Sequence, residues 1–231
     1  MTVILRTPLH TATVVATRDL TPRMRRITLL APMLDAPHPA QDIEVVLTDD
    51  TGRKVKRRYT ITNYRDRQFD VDALRHSHGG PGATWAASAA TGDEVQFFGP
   101  RGRLELRDAA WHLFVGDESA LPAVAALAEA VDAPAYALVE VGDASDQVPV
   151  DAEVRWLHRG ARPAGTADLL EAALDVFEAP PGDGRGYLLG ESRAMAALRS
   201  RMHALGLTNE QLYVKGYWNL GRFGLLRRRP R

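Results

Sequence analysis

Short segments with alternating apolar and polar residues fill the first part of the chain, and turn signals separate them. His10 to Thr17 carries a β-branched run, and Met24 to Leu30 resumes it after the turn Asp19-Leu20-Thr21-Pro22. Ile43-Glu44-Val45-Val46-Leu47 reads as a third strand. Asp49-Asp50-Thr51-Gly52 is a hairpin connection that returns as Val55 to Thr62. Phe69-Asp70-Val71-Asp72-Ala73-Leu74 has period two. One helix, entered through Gly79-Gly80-Pro81-Gly82-Ala83-Thr84, interrupts the strands. Glu94 to Phe98 is the last strand, and Gly99-Pro100-Arg101-Gly102 closes the region. Short strands at this spacing predict a small antiparallel barrel.

From about Ala109 the rhythm changes. Continuous apolar runs (Trp111 to Val115, Ala135 to Val139, Val154 to Leu157, Gly186 to Leu189 and Leu212 to Trp218) alternate with helical stretches. These stretches run through Val131, over Thr166 to Phe177, and over Glu191 to Leu205. Buried strands alternating with helices predict an open parallel α/β sheet. The expected organisation is therefore two domains, 1–108 and 109–231. A length of 231 residues agrees with it, being above the usual single-domain size of roughly 100–150 residues.

The 29 Lys+Arg balance the 29 Asp+Glu, so no global field draws the chain to nucleic acid or an anionic membrane. There are no cysteines, which removes disulfides, thiolate metal sites and cysteine nucleophiles. Redox chemistry would then need a bound organic cofactor or a histidine-held metal. The seven histidines offer no tight ligand spacing beyond His76-x-His78, so no metal site is expected. No run is long and apolar enough to span a membrane, and the start lacks a signal-peptide layout, so the expectation is a cytoplasmic protein. Basic residues are nearly all arginine, and Lys54, Lys56 and Lys215 are the only lysines.

Three segments carry candidate chemistry. In Arg57-Arg58-Tyr59-Thr60, strand alternation puts Arg57 and Tyr59 on one face. Arginine holds a pyrophosphate through paired hydrogen bonds, tyrosine lies flat on a ring system, and a threonine hydroxyl reaches a ring nitrogen. An edge strand with exposed arginines fits the same residues. His76 to Trp85 brings a glycine-rich entry into a helix: glycine at Gly80 lets the backbone approach a ligand, Pro81 suits the first helical turn, and Gly82, Ala83 and Thr84 offer backbone amides to phosphate. An ordinary helix start with His76 in the core is the alternative. Gly116-Asp117-Glu118-Ser119 follows a buried strand and opens a helix, where an α/β domain binds a nucleotide. It is not G-x-G-x-x-G, and its two carboxylates equally suit simple capping.

Taken in order, these residues resemble the siderophore-interacting proteins. The resemblance rests on Arg57-x-Tyr59-Thr60, Asp70-Val71-Asp72 and His76-x-x-Gly79-Gly80-Pro81-x-x-x-Trp85-Ala86. It continues in Gly99-Pro100-Arg101-Gly102, Gly116-Asp117-Glu118-x-x-x-Pro122-Ala123, Gly190-Glu191 and Gly216-Tyr217-Trp218. It implies a ferredoxin-reductase-like fold with FAD on the barrel, NADH or NADPH on the second domain, and a ferric siderophore as electron acceptor. Asp72 and His76 would join the FAD site. Gly190 and Glu191 are further candidates for cofactor binding. Tyr217 or Trp218 is a candidate to stack near the flavin and gate nicotinamide, and core packing of the last strand is the alternative. No residue would act as nucleophile or general acid. Lys54, Lys56 and Lys215 are candidates for capturing an anionic chelate, and solvated surface charge is the alternative. Arg159 and Arg162 are candidates for a 2′-phosphate. Two other readings are a flavin reductase with another acceptor and a non-catalytic binder of a ferric chelate or flavin. The expected partners are small molecules, with no nucleic acid and no membrane, on a monomer or weak dimer.

Overall fold

A computed structural model describes residues 8–75, 79–102 and 104–221. The Arg-rich end, Arg227 to Arg231, and His76 lie outside the described residues. The chain forms two compact units. The first comprises the described residues up to Arg107 together with Pro122–Val131 and Ser145–Asp151. The second comprises Asp108–Leu121, Asp132–Ala144 and the residues from Ala152 onward.

The first unit is built on strands β1 (Leu9–Thr21), β2 (Met24–Leu30), β3 (Asp42–Thr48), β4 (Lys54–Thr60), β5 (Thr62–Arg65), β6 (Gln68–Leu74) and β7 (Glu94–Arg101). The helix α1 (Pro81–Ser88) lies between β6 and β7. The strands form one seven-stranded sheet in the order β4-β3-β7-β1-β2-β6-β5. All its pairings are antiparallel. Alternation does what period two requires. Ile27, Leu29, Ile43, Val45, Phe69, Val71 and Phe97 point to one core and are fully buried.

The turns follow their side chains. Thr21 Oγ1 accepts the amides of Arg23 and Met24 at 3.2 and 2.9 Å, closing the β1–β2 turn. Asp49 Oδ1 accepts the amides of Thr51 and Arg53, both at 2.9 Å, in the β3–β4 hairpin. The run Val55 to Thr62 is not one strand. It breaks at Ile61, whose amide turns to the carbonyl of Gln41, and Asn63 then adopts φ 49°. Asp66 and Arg67 also have positive φ, at 49° and 64°. They make the two-residue β5–β6 turn without the usual Asn-Gly.

The second unit carries β8 (Trp111–Asp117), β9 (Ala135–Val141), β10 (Glu153–His158), β11 (Gly184–Glu191) and β12 (Leu212–Trp218). They form a parallel sheet in the order β10-β9-β8-β11-β12. A 3₁₀ turn (Glu118–Ala120) leads from β8 into α2 (Leu121–Ala128). The helix α3 (Asp168–Leu174) follows β10. The stretch expected as one long helix is two, α4 (Ser192–Ala197) and α5 (Arg199–Ala204), parted at Leu198. Trp111, Leu113, Val115, Leu170, Leu188, Met195 and Met202 belong to this unit's core. The chain runs outward from β8 through β9 to β10, then returns beside β8 as β11. The carboxyl ends of β8 and β11 are thus the topological switch point, where open sheets bind ligands. Gly116 makes this close approach possible, because a Cβ there would lie 2.1 Å from the Leu189 carbonyl oxygen.

Candidate functional sites

In the first unit the structure brings together Arg57, Tyr59 and the start of α1. A Cβ on Gly82 would lie 2.9 Å from Tyr59 Oη and 3.4 Å from Arg57 Cγ. Only glycine lets the helix start close on these two side chains. Tyr59 Oη is 3.5 Å from the Gly82 carbonyl, and its ring centroid lies 5.1 Å from that of Trp85. Burial pushes the Tyr59 hydroxyl well above its ordinary pKa, so it stays a neutral donor. Arg57 has no carboxylate partner among the described residues. Its guanidinium donates to the neighbouring Lys56 carbonyl at 2.9 Å. The helix start is equally unclaimed: Gly80, at φ 105°, supplies no side-chain cap, and the first turn holds no acid. An unpaired guanidinium beside uncapped helix amides is an anion cradle, with Tyr59 and Trp85 as its aromatic wall. Arg57, Tyr59 and Gly80 to Thr84 therefore fit the pyrophosphate and ring of a flavin dinucleotide.

Other candidates are turned elsewhere. Thr60, the last residue of β4, is buried and alternates away from Tyr59. Arg26 holds Asp72 with both arms, at 2.7 and 2.8 Å, and also reaches Asp70 at 3.5 Å. Asp72 is thus committed to a β2–β6 ion pair rather than open to a ligand. Lys54 and Lys56 lie on the face of β4 opposite Arg57 and Tyr59. Lys54 donates to Thr48 Oγ1 at 3.1 Å. Lys56 reaches Glu44 at 3.4 Å and sits 3.9 Å above the Phe98 ring. Glu44 also takes Arg58 and Arg101. Arg25 is not among the candidate site residues, yet its guanidinium donates to Ala87 O at 2.7 Å and Ala89 O at 3.2 Å. This cation on the carboxyl end of α1 fixes where the other end points.

The switch point in the second unit is the chemical opposite. Asp117 ends β8 and is buried. Its carboxylate accepts the amide and hydroxyl of Ser119, the Glu191 amide at 2.9 Å and Trp218 Nε1 at 2.8 Å. Burial nonetheless raises its pKa, against the pull of the donors. Glu191 ends β11 and accepts the amides of Arg193 at 2.6 Å, Ala194 at 2.8 Å and Leu220 at 3.0 Å. Burial pushes its pKa up, but those bonds leave it below the ordinary value. Gly190 sits so near that a Cβ on it would meet Asp117 Oδ2 at 2.7 Å. Gly116, Asp117, Ser119, Gly190, Glu191 and Trp218 are thus brought together, but the carboxylates consume the amides that a phosphate would use.

Glu118 binds Arg159 with both oxygens, at 2.6 and 2.7 Å, and Glu140 adds a third contact at 3.3 Å. Burial raises the Glu140 pKa to about 7 although Arg159 opposes it. Arg159 itself is pushed above its usual range, chiefly by the Glu118 hydrogen bond. Arg162 donates to the Arg159 carbonyl at 3.3 Å. Lys215, on β12, lies 4.9 Å from the centroid of Tyr217. Among the described residues no cluster of His, Cys, Asp or Glu is arranged to hold a metal ion, and no helix is long and apolar enough to cross a membrane.

An antiparallel half-barrel sheet and a parallel sheet with helices make up the ferredoxin-reductase-like fold. The ferredoxin reductase in carbazole 1,9a-dioxygenase shares it at TM-score 0.71 and 19% identity, over 91% of this chain and 70% of that one. Within that class the chain belongs to the siderophore-interacting protein family. Residues 37–104 match the siderophore-interacting FAD-binding domain, and residues 109–221 match the siderophore-interacting protein family itself. A siderophore utilization protein from T. fusca superposes at TM-score 0.84 with 32% identity, over 94% of this chain and 95% of that one. The ferric vibriobactin reductase of Vibrio cholerae is 30% identical over 74% of this chain and 66% of its own length. The NADPH-dependent ferric-chelate reductase of Escherichia coli is 28% identical over 78% of this chain and 73% of its own length.

Proposed function

We propose that the chain is an FAD-dependent oxidoreductase that takes electrons from NADH or NADPH and reduces Fe(III) held in a siderophore, releasing the iron. The observation that carries this reading is the unpaired Arg57 guanidinium beside Tyr59 and the uncapped start of α1. On this reading residues 1–108 form the flavin domain and 109–231 the nicotinamide domain. Arg57 would hold the pyrophosphate, and the free amides of Gly82 and Ala83 at the start of α1 would donate to it. Tyr59 and Trp85 shield the ring system from water. Bound FAD supplies the step from two-electron donor to one-electron acceptor, so no side chain need act as acid, base or nucleophile. Reduction weakens the grip of hard oxygen ligands on iron. The relatives named as ferric reductases support the reaction class. The same reading has the protein work in the cytoplasm on a small molecule, as a monomer or weak dimer.

A second reading keeps the flavin and changes the acceptor. Lys54 and Lys56 face away from Arg57 and Tyr59, which leaves Lys215 as the remaining lysine for capturing an anionic chelate. The test is to load the protein with FAD, reduce it anaerobically with NADH or NADPH, and add a ferric siderophore beside a ferrous trap. Flavin bleaching followed by recovery with trapped Fe(II) supports the proposal. Bleaching with no recovery on ferric chelates supports another acceptor. No flavin binding sinks both.

A further inference from the structure

The ends of β9 and β10 hold a pair of residues whose chemistry decides which dinucleotide the second unit accepts. In open sheets of this strand order, a carboxylate at the end of the strand beside the first accepts the ribose 2′-hydroxyl. An arginine nearby accommodates a 2′-phosphate instead. This chain has both, Glu140 next to the last residue of β9 and Arg159 just after β10, and they are bonded to each other. Glu118, from the turn after β8, closes over the same guanidinium. The side chains of Arg159, Glu118 and Glu140 are 9%, 18% and 2% exposed, so the pairs are shielded from solvent. One guanidinium thus answers two carboxylates, with a third, Asp117, close behind. A 2′-phosphate, carrying about −1.5 to −2 charge near neutral pH, would have to break the bidentate pair and then sit among those carboxylates. A 2′-hydroxyl meets no such barrier, since it can donate to Glu140 or Glu118 while Arg159 stays in place.

We propose that Glu118 is a specificity-determining residue: by holding Arg159, it makes the protein select NADH over its 2′-phosphorylated counterpart. This inference rests on the reading that the second unit takes a reduced nicotinamide dinucleotide. Arg159, which the sequence marks as a 2′-phosphate ligand, is instead occupied by the protein's own acid.

Calorimetric titration of the full-length FAD-loaded protein at pH 8 tests this without turnover, using NAD⁺ and NADP⁺, then 5′-AMP and 2′,5′-ADP. The wild type should bind NAD⁺ at least about tenfold tighter than NADP⁺, equivalent to about 1.4 kcal/mol. Glu118→Gln, which keeps shape and removes charge, should erase that preference. Glu118→Ala, which leaves no side-chain amide to hold Arg159, should do the same. Adding Arg159→Gln to either variant should abolish the gain for 2′,5′-ADP. Retained FAD and an unchanged melting temperature establish folding. Tighter NADP⁺ binding by the wild type, or an unchanged ratio in both Glu118 variants, overturns the clamp and leaves the donor reading standing. Binding of neither dinucleotide, with FAD in place, overturns the donor reading and the clamp with it.

Discussion

The start of α1 and the switch point of the parallel sheet are both places where backbone amides converge, yet they are finished in opposite ways. At α1 the protein supplies no side-chain cap and no acid in the first turn, and among the described residues Arg57 has no carboxylate partner. At the switch point Asp117 and Glu191 cap their own strands' successors, and Arg159 is neutralised by Glu118 and Glu140. An uncapped amide cluster gains most when an anion arrives, because the anion fills donors that otherwise meet only water. A capped cluster gains little. The contrast predicts a flavin that stays bound and a nicotinamide nucleotide that comes and goes, which suits a donor that must leave after each turnover.

The largest break in that comparison comes from the first edge. Arg57→Ala removes a charge-assisted contact to phosphate, worth about 1.5–3 kcal/mol. FAD affinity should fall roughly tenfold to a hundredfold by flavin fluorescence titration. Nicotinamide binding should change far less. Unchanged FAD affinity would move the pyrophosphate away from Arg57. Gly82→Ala comes next. Its Cβ would press on Tyr59 Oη, and overpacking of this kind costs about 1–3 kcal/mol. The melting temperature and FAD affinity should drop together, because the helix start and Tyr59 must part.

At the second edge Asp117→Asn is the sharper probe. The aspartate accepts from four donors, the Ser119 amide and hydroxyl, the Glu191 amide and Trp218 Nε1. An asparagine must turn its amide nitrogen toward some of them. Leaving buried donors unmatched costs about 1–3 kcal/mol, read as a lower midpoint in urea. FAD affinity should hold. A variant that loses FAD while its midpoint stays put would erase the division of labour between the two edges.

Period two in the first half and buried runs in the second were enough to foresee a barrel followed by a parallel sheet, because both signals report burial. The break at Ile61 was not legible. Thr62 and Asn63 look like more strand until the positive φ of Asn63 is seen. At the sites, Arg57, Tyr59 and the glycine-rich helix start were readable because strand alternation and glycine geometry are local rules. Asp72 looked available and is bound by Arg26, and Arg159 looked available and is bound by Glu118. These pairs join residues 46 and 41 positions apart, and spacing carries no information about them. The contact of Arg25 with α1, 62 residues away, was not legible for the same reason.

The smallest expected effect is a pH dependence of nucleotide choice. Glu140 titrates at about 7 because it is buried, with Arg159 opposing the shift and Asp117 and Glu118 adding to it. The sign follows from charge. Above that value Glu140 is ionised and repels a 2′-phosphate; below it the group is neutral and the repulsion weakens. Lowering the pH from 8 to 6.5 should therefore raise NADP⁺ affinity relative to NAD⁺ by a few-fold. The phosphate's own proton, with a pKa of about 6, pushes the ratio the same way and must be separated. Glu140→Gln separates it, since the variant keeps the phosphate's titration and loses the carboxylate's. A flatter ratio in Glu140→Gln than in the wild type assigns the difference to Glu140. Parallel profiles would mean that Arg159 already screens it fully, and discrimination would then fall to Glu118 alone.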